Sequence, residues 1–219
     1  MGRTAVIIGA GDFPKKEYPR YLIASADIIV CCDSAFGTWL KRCPSILGEL
    51  RLPDAVVGDM DSISPTLRKK YPDIMVHISE QEYNDQTKAF KYVMEKYKDV
   101  DHIHILGASG KREDHTIGNM SLLMEYCRMF DLGRVSVDMV SDYSTAFAIT
   151  GSCELHVGQG REVSIFSPDN SLKIRSEGLE WPTDDVVFDN WWKATLNKAS
   201  EDVIRLEFSH KSLALIVMD

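Results

Sequence analysis

The sequence predicts an α/β plus all-β chain: an N-terminal Rossmann-like, mostly parallel sheet with flanking helices over residues 1–142, then a small antiparallel β-sandwich over residues 143–219. Two observations predict this. In the first half, short apolar runs alternate with stretches of helical periodicity, and strands joined by helices of that length pair in parallel through right-handed crossovers. Past residue 142 the helical periodicity stops, and short alternating runs divided by Gly, Pro, Asp and Asn turns take over, as in antiparallel sheets.

The first expected strand, residues 4–8, enters the glycine loop GAGDF at 9–13. That loop lacks the third glycine of a dinucleotide fingerprint, because Pro14 stands where GxGxxG needs it, so the signal is weak. Further strands are expected at 27–32, 55–57, 74–78, 102–106 and 135–140. Helices are expected at 87–97, where Phe90, Val93, Met94 and Tyr97 share a face, and at 116–130. The second part offers strands at 154–157, 162–166, 172–174, 203–208 and 212–217, with no low-complexity linker before them.

Composition excludes several classes. An apolar fraction of 44% with 26% charged residues is that of an ordinary folded domain, not a disordered chain. A net charge of -8 argues against a nucleic-acid backbone binder, which needs clustered Lys and Arg. A small anionic ligand remains compatible if a metal or a local cation offsets the acids. Five cysteines, an odd number without metal-type spacing, fit a reducing compartment. No apolar run approaches the ~20 residues that cross a bilayer, and the N-terminus lacks the long apolar region of a signal peptide. A cytoplasmic protein is expected.

Four acidic clusters concentrate the chemistry, each expected where a strand runs out into a loop: Asp33, the pair Asp59 and Asp61, Asp85, and Asp114. Open α/β sheets bind ligands beyond the carboxyl ends of their strands, where such loops converge. In GDMDS, Gly58 is expected to turn the chain, and on extended backbone Asp59 and Asp61 project to one side. Two hard oxygen donors suit Mg²⁺, which keeps several waters and shares its other positions with substrate phosphates. The plainer explanation is an Asp turn with Ser62 capping the next segment.

Asp85 and Thr87 stand at a helix entrance, where free N–H groups attract anions and Lys88 adds a point charge. An N-cap role explains Asp85 or Thr87 equally. GASGKREDH at 107–115 combines two glycines, the cations Lys111 and Arg112 for phosphate oxygens, and Asp114 with His115 before a helix. Its plain counterpart is a solvated turn, and a lone His such as His115 more often orients than acts as a base. Asp33 and Ser34 follow the second strand, where a ribose or phosphate partner is expected, or an ordinary turn.

In this order the clusters resemble those of the thiamin pyrophosphokinases. The family's DGGAN-like strand end is similar to CCDSAFG, with Asp33 and Ala35 retained. Its GDxDS looks like Asp59, Asp61 and Ser62, and its DxT like Asp85 and Thr87, followed by Lys88 and preceded by Gln81. Its GATGGRxDH is similar to Gly107, Gly110, Arg112, Asp114 and His115, with Lys111 in place of a glycine; Asn119 follows. The resemblance is strong to residue 120 and weaker after it. There, Gly178 to Trp181 is similar to a GLxW-type segment, and Leu196-Asn197 to a Ser-Asn near the thiamin site, without the serine. Trp191 and Trp192 match no family role and are expected as buried sandwich aromatics.

The resemblance implies transfer of a diphosphoryl group from ATP to thiamin, giving AMP and thiamin diphosphate, with Mg²⁺ required. It implies a homodimer in which thiamin lies at the subunit interface, with a C-terminal domain that binds thiamin and dimerises. Catalytic residues would be Asp59, Asp61, Asp85 and Asp114, the first three holding metal and Asp114 either a further metal contact or the acceptor of the thiamin hydroxyl proton. Asp33, Ser34, Thr87, Lys88, Gly107, Arg112 and His115 would meet the nucleotide, and Gln81, Trp181 and Asn197 thiamin. A cationic thiazolium suits an acidic protein with aromatic walls. Two rivals stay open: a metal-dependent phosphoesterase, which would activate water with the same acids, and a nucleotide-binding sensor without catalysis.

Overall fold

The computed structural model describes residues 2–219. One compact unit runs to Asn119 and takes in Leu132–Asp142; the second takes Met120–Asp131 and Tyr143–Asp219. In the first unit, strands β1 (Arg3–Ile8), β2 (Ile28–Cys32), β3 (Ala55–Gly58), β4 (Met75–His77), β5 (Val100–Leu106) and β6 (Ser136–Val140) lie in the order β6-β5-β1-β2-β3-β4, every pair parallel. Ala5 to Ile8 and Ile28 to Cys32 are buried without alternation, as expected of central strands covered on both faces.

The helices are α1 (Glu17–Ser25), α2 (Asp33–Arg42), α3 (Pro44–Leu47), α4 (Pro65–Lys70), α5 (Asp85–Lys96) and α6 (Glu113–Met129). Helix α2 buries Ala35, Phe36 and Trp39 on one side, and the Trp39 indole N–H donates to Arg51 O at 2.8 Å. Helix α5 buries Ala89, Phe90 and Val93.

Strand order reverses at β1, whose neighbours are β2 on one side and β5 on the other. The loops after β1 and β5 therefore diverge from a switch point, the place where an open α/β sheet forms a crevice. Here the two loops are joined backbone to backbone: Gly9 N donates to Leu106 O at 2.8 Å, Gly11 N to Gly107 O at 2.5 Å and Asp12 N to Ser109 O at 2.8 Å. A Cβ on Gly11 would stand 2.3 Å from Ser109 O, so only glycine permits this approach. We expect Gly11→Ala to lower stability by about 2–3 kcal/mol through overpacking. Gly37→Ala, where a Cβ meets nothing within 4 Å, is the matched helical control and should stabilise by up to ~1 kcal/mol. Equal melting temperatures for the two would contradict this account.

The second unit holds β7 (Thr145–Ile149), β8 (Cys153–His156), β9 (Glu162–Phe166), β10 (Ile174–Glu177), β11 (Asn197–Lys198), β12 (Val203–Phe208) and β13 (Ala214–Met218). Two antiparallel arrays form, β11-β9-β13-β7 and β10-β12-β8. Alternation places Ile204, Leu206 and Phe208 inward from β12, where they pack with Val163, Ile165, Ile174 and Ile216.

The expected fold class holds, with differences in the elements. Leu172 is buried, yet the strand expected at 172–174 starts at Ile174, because residues 169–172 close a turn in which Leu172 N donates to Asp169 O. Trp191 and Trp192 are exposed rather than buried; Trp191 meets Phe166 edge-on, at 6.2 Å between ring centres. No helix among the described residues is long and apolar enough to cross a membrane.

Candidate active site

At the switch point lies a cleft of about 610 Å³, walled by Gly9 to Gly11, Ser34, Asn84 to Gln86, Gly107 to Ser109, Lys111, Arg112 and the start of α6 through Asn119. The N-termini of α5 and α6 both open on it, so free N–H groups and the positive ends of two helix dipoles favour an anion there. Asp85 and Asp114 line the wall; Asp33, Asp59, Asp61, Gln81, Thr87 and Lys88 stand outside it.

Asp33 is the most unusual of these. It is the first residue of α2, not part of a strand-end loop, and only 1% exposed. Neither carboxylate oxygen has a hydrogen-bond partner of good geometry, and its polar neighbours are the Ser34 N–H and the carboxylate of Asp85. Burial first, then the charge of Asp85, pushes the Asp33 carboxyl up to about 6. Gly58 makes room for it: a Cβ there would lie 2.6 Å from Asp33 Cγ. The role expected for Gly58, a turn after the strand, is thus replaced by close packing, since Gly58 is still in β3.

The turn falls at Met60, which is buried with φ 69. A left-handed non-glycine residue stores about 1–3 kcal/mol, and such strain clusters at functional sites. Because of it, the alternation assumed for Asp59 and Asp61 does not apply. Asp61 N instead donates to Asp59 Oδ1 at 3.0 Å, and Gln81 Nε2 reaches Asp59 Oδ2 at 3.4 Å. The Asp61 N–H leads the causes that hold the Asp59 carboxyl below the usual carboxylate range. Asp61 itself is exposed.

Capping differs from expectation in a way that frees the acids. Ser64, not Ser62, caps α4 by accepting from Leu67 N at 3.3 Å, and Ser62 faces the cleft. Asn84, not Asp85 or Thr87, caps α5 by accepting from Thr87 N at 3.0 Å. Asn84 also donates to Asn119 Oδ1 at 2.9 Å, and Asn119 donates to Ala108 O at 2.8 Å, which ties α5, α6 and the loop after β5 together. The bridging role of Asn84 was missed in the sequence; an Asn just before a helix is the signal that could have found it.

Lys88 is 3% exposed, with Nζ 3.6 Å from Asp85 Oδ1, so its charge offsets that of the half-buried Asp85. Arg112 forks onto Asp114 through Nε at 3.1 Å and Nη2 at 2.5 Å. That hydrogen bond holds the Asp114 carboxyl below its usual range, ionised at neutral pH. His115 is exposed on the cleft wall.

In the second unit Trp181 is 56% exposed, and its backbone is gripped by the buried Asn197: Trp181 N donates to Oδ1 at 3.1 Å and Nδ2 donates to Trp181 O at 2.6 Å. The Lys198 N–H also uses Oδ1. The amide is thus engaged with backbone, which makes Asn197 a positioner of Trp181. The preceding Leu196 is left-handed and 73% exposed.

Comparison with known proteins decides the relationship. The sequence model described as the thiamin pyrophosphokinase catalytic domain matches residues 19–132, and that of the substrate-binding domain of the same kinase matches residues 145–215. The chain belongs to the thiamin pyrophosphokinase family. Thiamine pyrophosphokinase 1 of Oryza sativa is 24% identical across 87% of this chain and 80% of its own length. The Bacillus subtilis thiamine pyrophosphokinase is 34% identical over a shorter stretch, 33% of this chain and 35% of that protein. Crystal structures of the thiamin pyrophosphokinases from Bacillus subtilis and yeast share the fold, with TM-scores of 0.76 and 0.77 at 17% and 13% identity. They cover 99% and 100% of this chain, which spans 99% and 87% of theirs.

Proposed function

We propose that this family member transfers the diphosphoryl group of ATP to the hydroxyl of thiamin, giving AMP and thiamin diphosphate, and that it requires Mg²⁺. The observation that carries the reading is a buried, unpartnered carboxylate, Asp33, set beside a cleft on which two helix N-termini converge. Among the described residues no three His, Cys, Asp or Glu side chains are arranged to hold a metal ion. The donors nonetheless suit one: all are hard oxygens, and a buried carboxylate without a hydrogen-bond donor lacks the positive partner that burial of charge demands. Asp59, Asp61 and Asp85 would hold Mg²⁺, with Asp33 behind Asp85. Bound there, the ion would neutralise charge on the phosphate oxygens.

The chain's own groups do the rest. The thiamin hydroxyl oxygen bonds to the β-phosphorus, the bond from that phosphorus to the α-phosphate oxygen breaks, and AMP leaves. Catalysis of this kind is mainly positioning and charge stabilisation. Arg112 turns from Asp114 to the phosphates, and Asp114, ionised, accepts the hydroxyl proton or adds a metal contact. Ser34, Gly107 and His115 shape the nucleotide site, Thr87 supports it from its buried place in the first turn of α5, and Lys88 keeps the acid cluster from repelling the polyphosphate.

For thiamin we propose ring stacking on Trp181, held by Asn197, and a hydrogen bond from Gln81. Trp181→Ala and Asn197→Ala should each raise the thiamin KM about tenfold or more with the ATP KM unchanged, since one aromatic stack or one fixed anchor is worth ~1–3 kcal/mol. An unchanged thiamin KM in both removes this pair from the site. Exposure of Trp181, Trp191, Trp192 and Leu196 supports a homodimer that covers them. The reading also places the protein in the cytoplasm.

The test is a reaction of purified protein with thiamin, ATP and Mg²⁺, resolving AMP, ADP and phosphate. AMP formed in step with thiamin diphosphate supports the proposal. ADP with thiamin monophosphate overturns the transfer, and phosphate released without thiamin favours the phosphoesterase.

A further inference from the structure

Lys111 stands apart from the other cations of the site. Arg112 is ion-paired with Asp114 and must leave it to reach a ligand, and Lys88 is buried against Asp85 outside the cleft wall. Lys111 lines the cleft, forms no ion pair among the described residues, and its Nζ donates instead to Ala10 O at 2.5 Å, across 101 residues of sequence. The bond is directed: Gly110 at φ 92 turns the chain back so that the side chain crosses the loop that follows β1. Two backbone hydrogen bonds already join that loop to the one bearing Lys111, and a third joins it to the end of β5, so the ammonium is not needed to bring them together.

A carbonyl offers the ammonium only a dipole, whereas a phosphate oxygen offers an opposite charge, so the added coulombic attraction lets an anion displace the carbonyl. The place where this happens is the mouth of an anion site, one residue beyond which Arg112 leads into α6. Acids dominate the surroundings: Asp85 and Asp114 on the wall, Asp33 and Asp59 next to it. A highly charged ligand therefore gains from each free cation, whereas a singly phosphorylated one gains little.

We propose that Lys111 is a specificity-determining residue that reads the outer phosphates of the nucleotide, exchanging the Ala10 carbonyl for a phosphate oxygen when a triphosphate is bound. Once the diphosphoryl group has left, the ammonium returns to Ala10 O and the monophosphate product loses this contact, which favours its release. The inference rests on the proposed use of ATP as donor.

Calorimetric titration of the full chain with ATP, ADP and AMP tests it, using wild type, Lys111→Met and Lys111→Arg. Lys111→Met should weaken ATP about tenfold or more while AMP changes less than about twofold, the expected loss of one charge-assisted hydrogen bond. Lys111→Arg should keep ATP within about threefold of wild type. Equal weakening of ATP and AMP, with a fall in melting temperature, would make Lys111 a structural latch and overturn the proposal. Unchanged ATP affinity in Lys111→Met, with wild type still converting ATP to AMP, would overturn it and leave the reaction intact. A wild type that binds no ATP would overturn both.

Discussion

Asp33→Asn should yield a protein that is more stable than wild type at neutral pH and much less active. The carboxylate is 1% exposed and unpartnered, and burial with the charge of Asp85 raises it from 3.8 to about 6. An acid whose folded-state value lies above its unfolded one releases its proton first in the unfolded chain. Stability therefore falls as pH rises from about 4 to about 6, and the cost persists above that. A shift of this size corresponds to a cost on the order of 3 kcal/mol, which the amide removes. The gain in melting temperature should be clear at pH 7 and vanish below about pH 4, where both states are protonated. Turnover should fall about 10–100-fold, as when a group that supports a metal ligand is removed. A lower melting temperature at pH 7, or wild-type turnover, would contradict the assignment.

Asp61→Asn separates function from stability by lowering turnover alone. Asp61 is exposed, and its backbone rather than its side chain holds the turn, through the bond from Asp61 N to Asp59 Oδ1. We expect the melting temperature without Mg²⁺ to stay within about 2 °C of wild type, the usual range for a surface change. Turnover should drop on the order of 10³-fold, and the rise in melting temperature that Mg²⁺ gives the wild type should shrink, since a ligand stabilises only the state that binds it. A large fall in stability with activity retained would show that Asp61 serves the turn alone.

The parallel sheet was legible because its strands are buried on both faces, so Ala5 to Ile8 and Ile28 to Cys32 appear as unbroken apolar runs. Helix α5 announced itself by the spacing of Phe90 and Val93. Helix α2 did not: Asp33 and Ser34 look like turn residues, and only burial of Phe36 and Trp39 shows the periodicity. Helix α4 carried a readable signal, Ser64 before Pro65, in a segment too short and exposed for a periodic pattern. Strand β11 is two residues long and depends on pairing with β9, which no local pattern encodes.

At the site, residue types were legible but partnerships were not. Spacing alone brings Asp59 near Asp61, whereas the left-handed Met60 between them redirects both. The grip of Asn197 on Trp181 joins residues 16 positions apart through side chain and backbone, and the Lys111 bond to Ala10 joins loops 101 apart. Contacts of that kind come from the register of the whole fold.

The most direct test of the diphosphoryl-transfer account follows the phosphorus atoms of ATP carrying radiolabel at either the β or the γ position, with thiamin, Mg²⁺ and wild-type protein. The account predicts that both labels arrive together in the thiamin product and that AMP carries neither. Arrival of the γ label alone, with the β label left in ADP, or release of label as free phosphate, would contradict it.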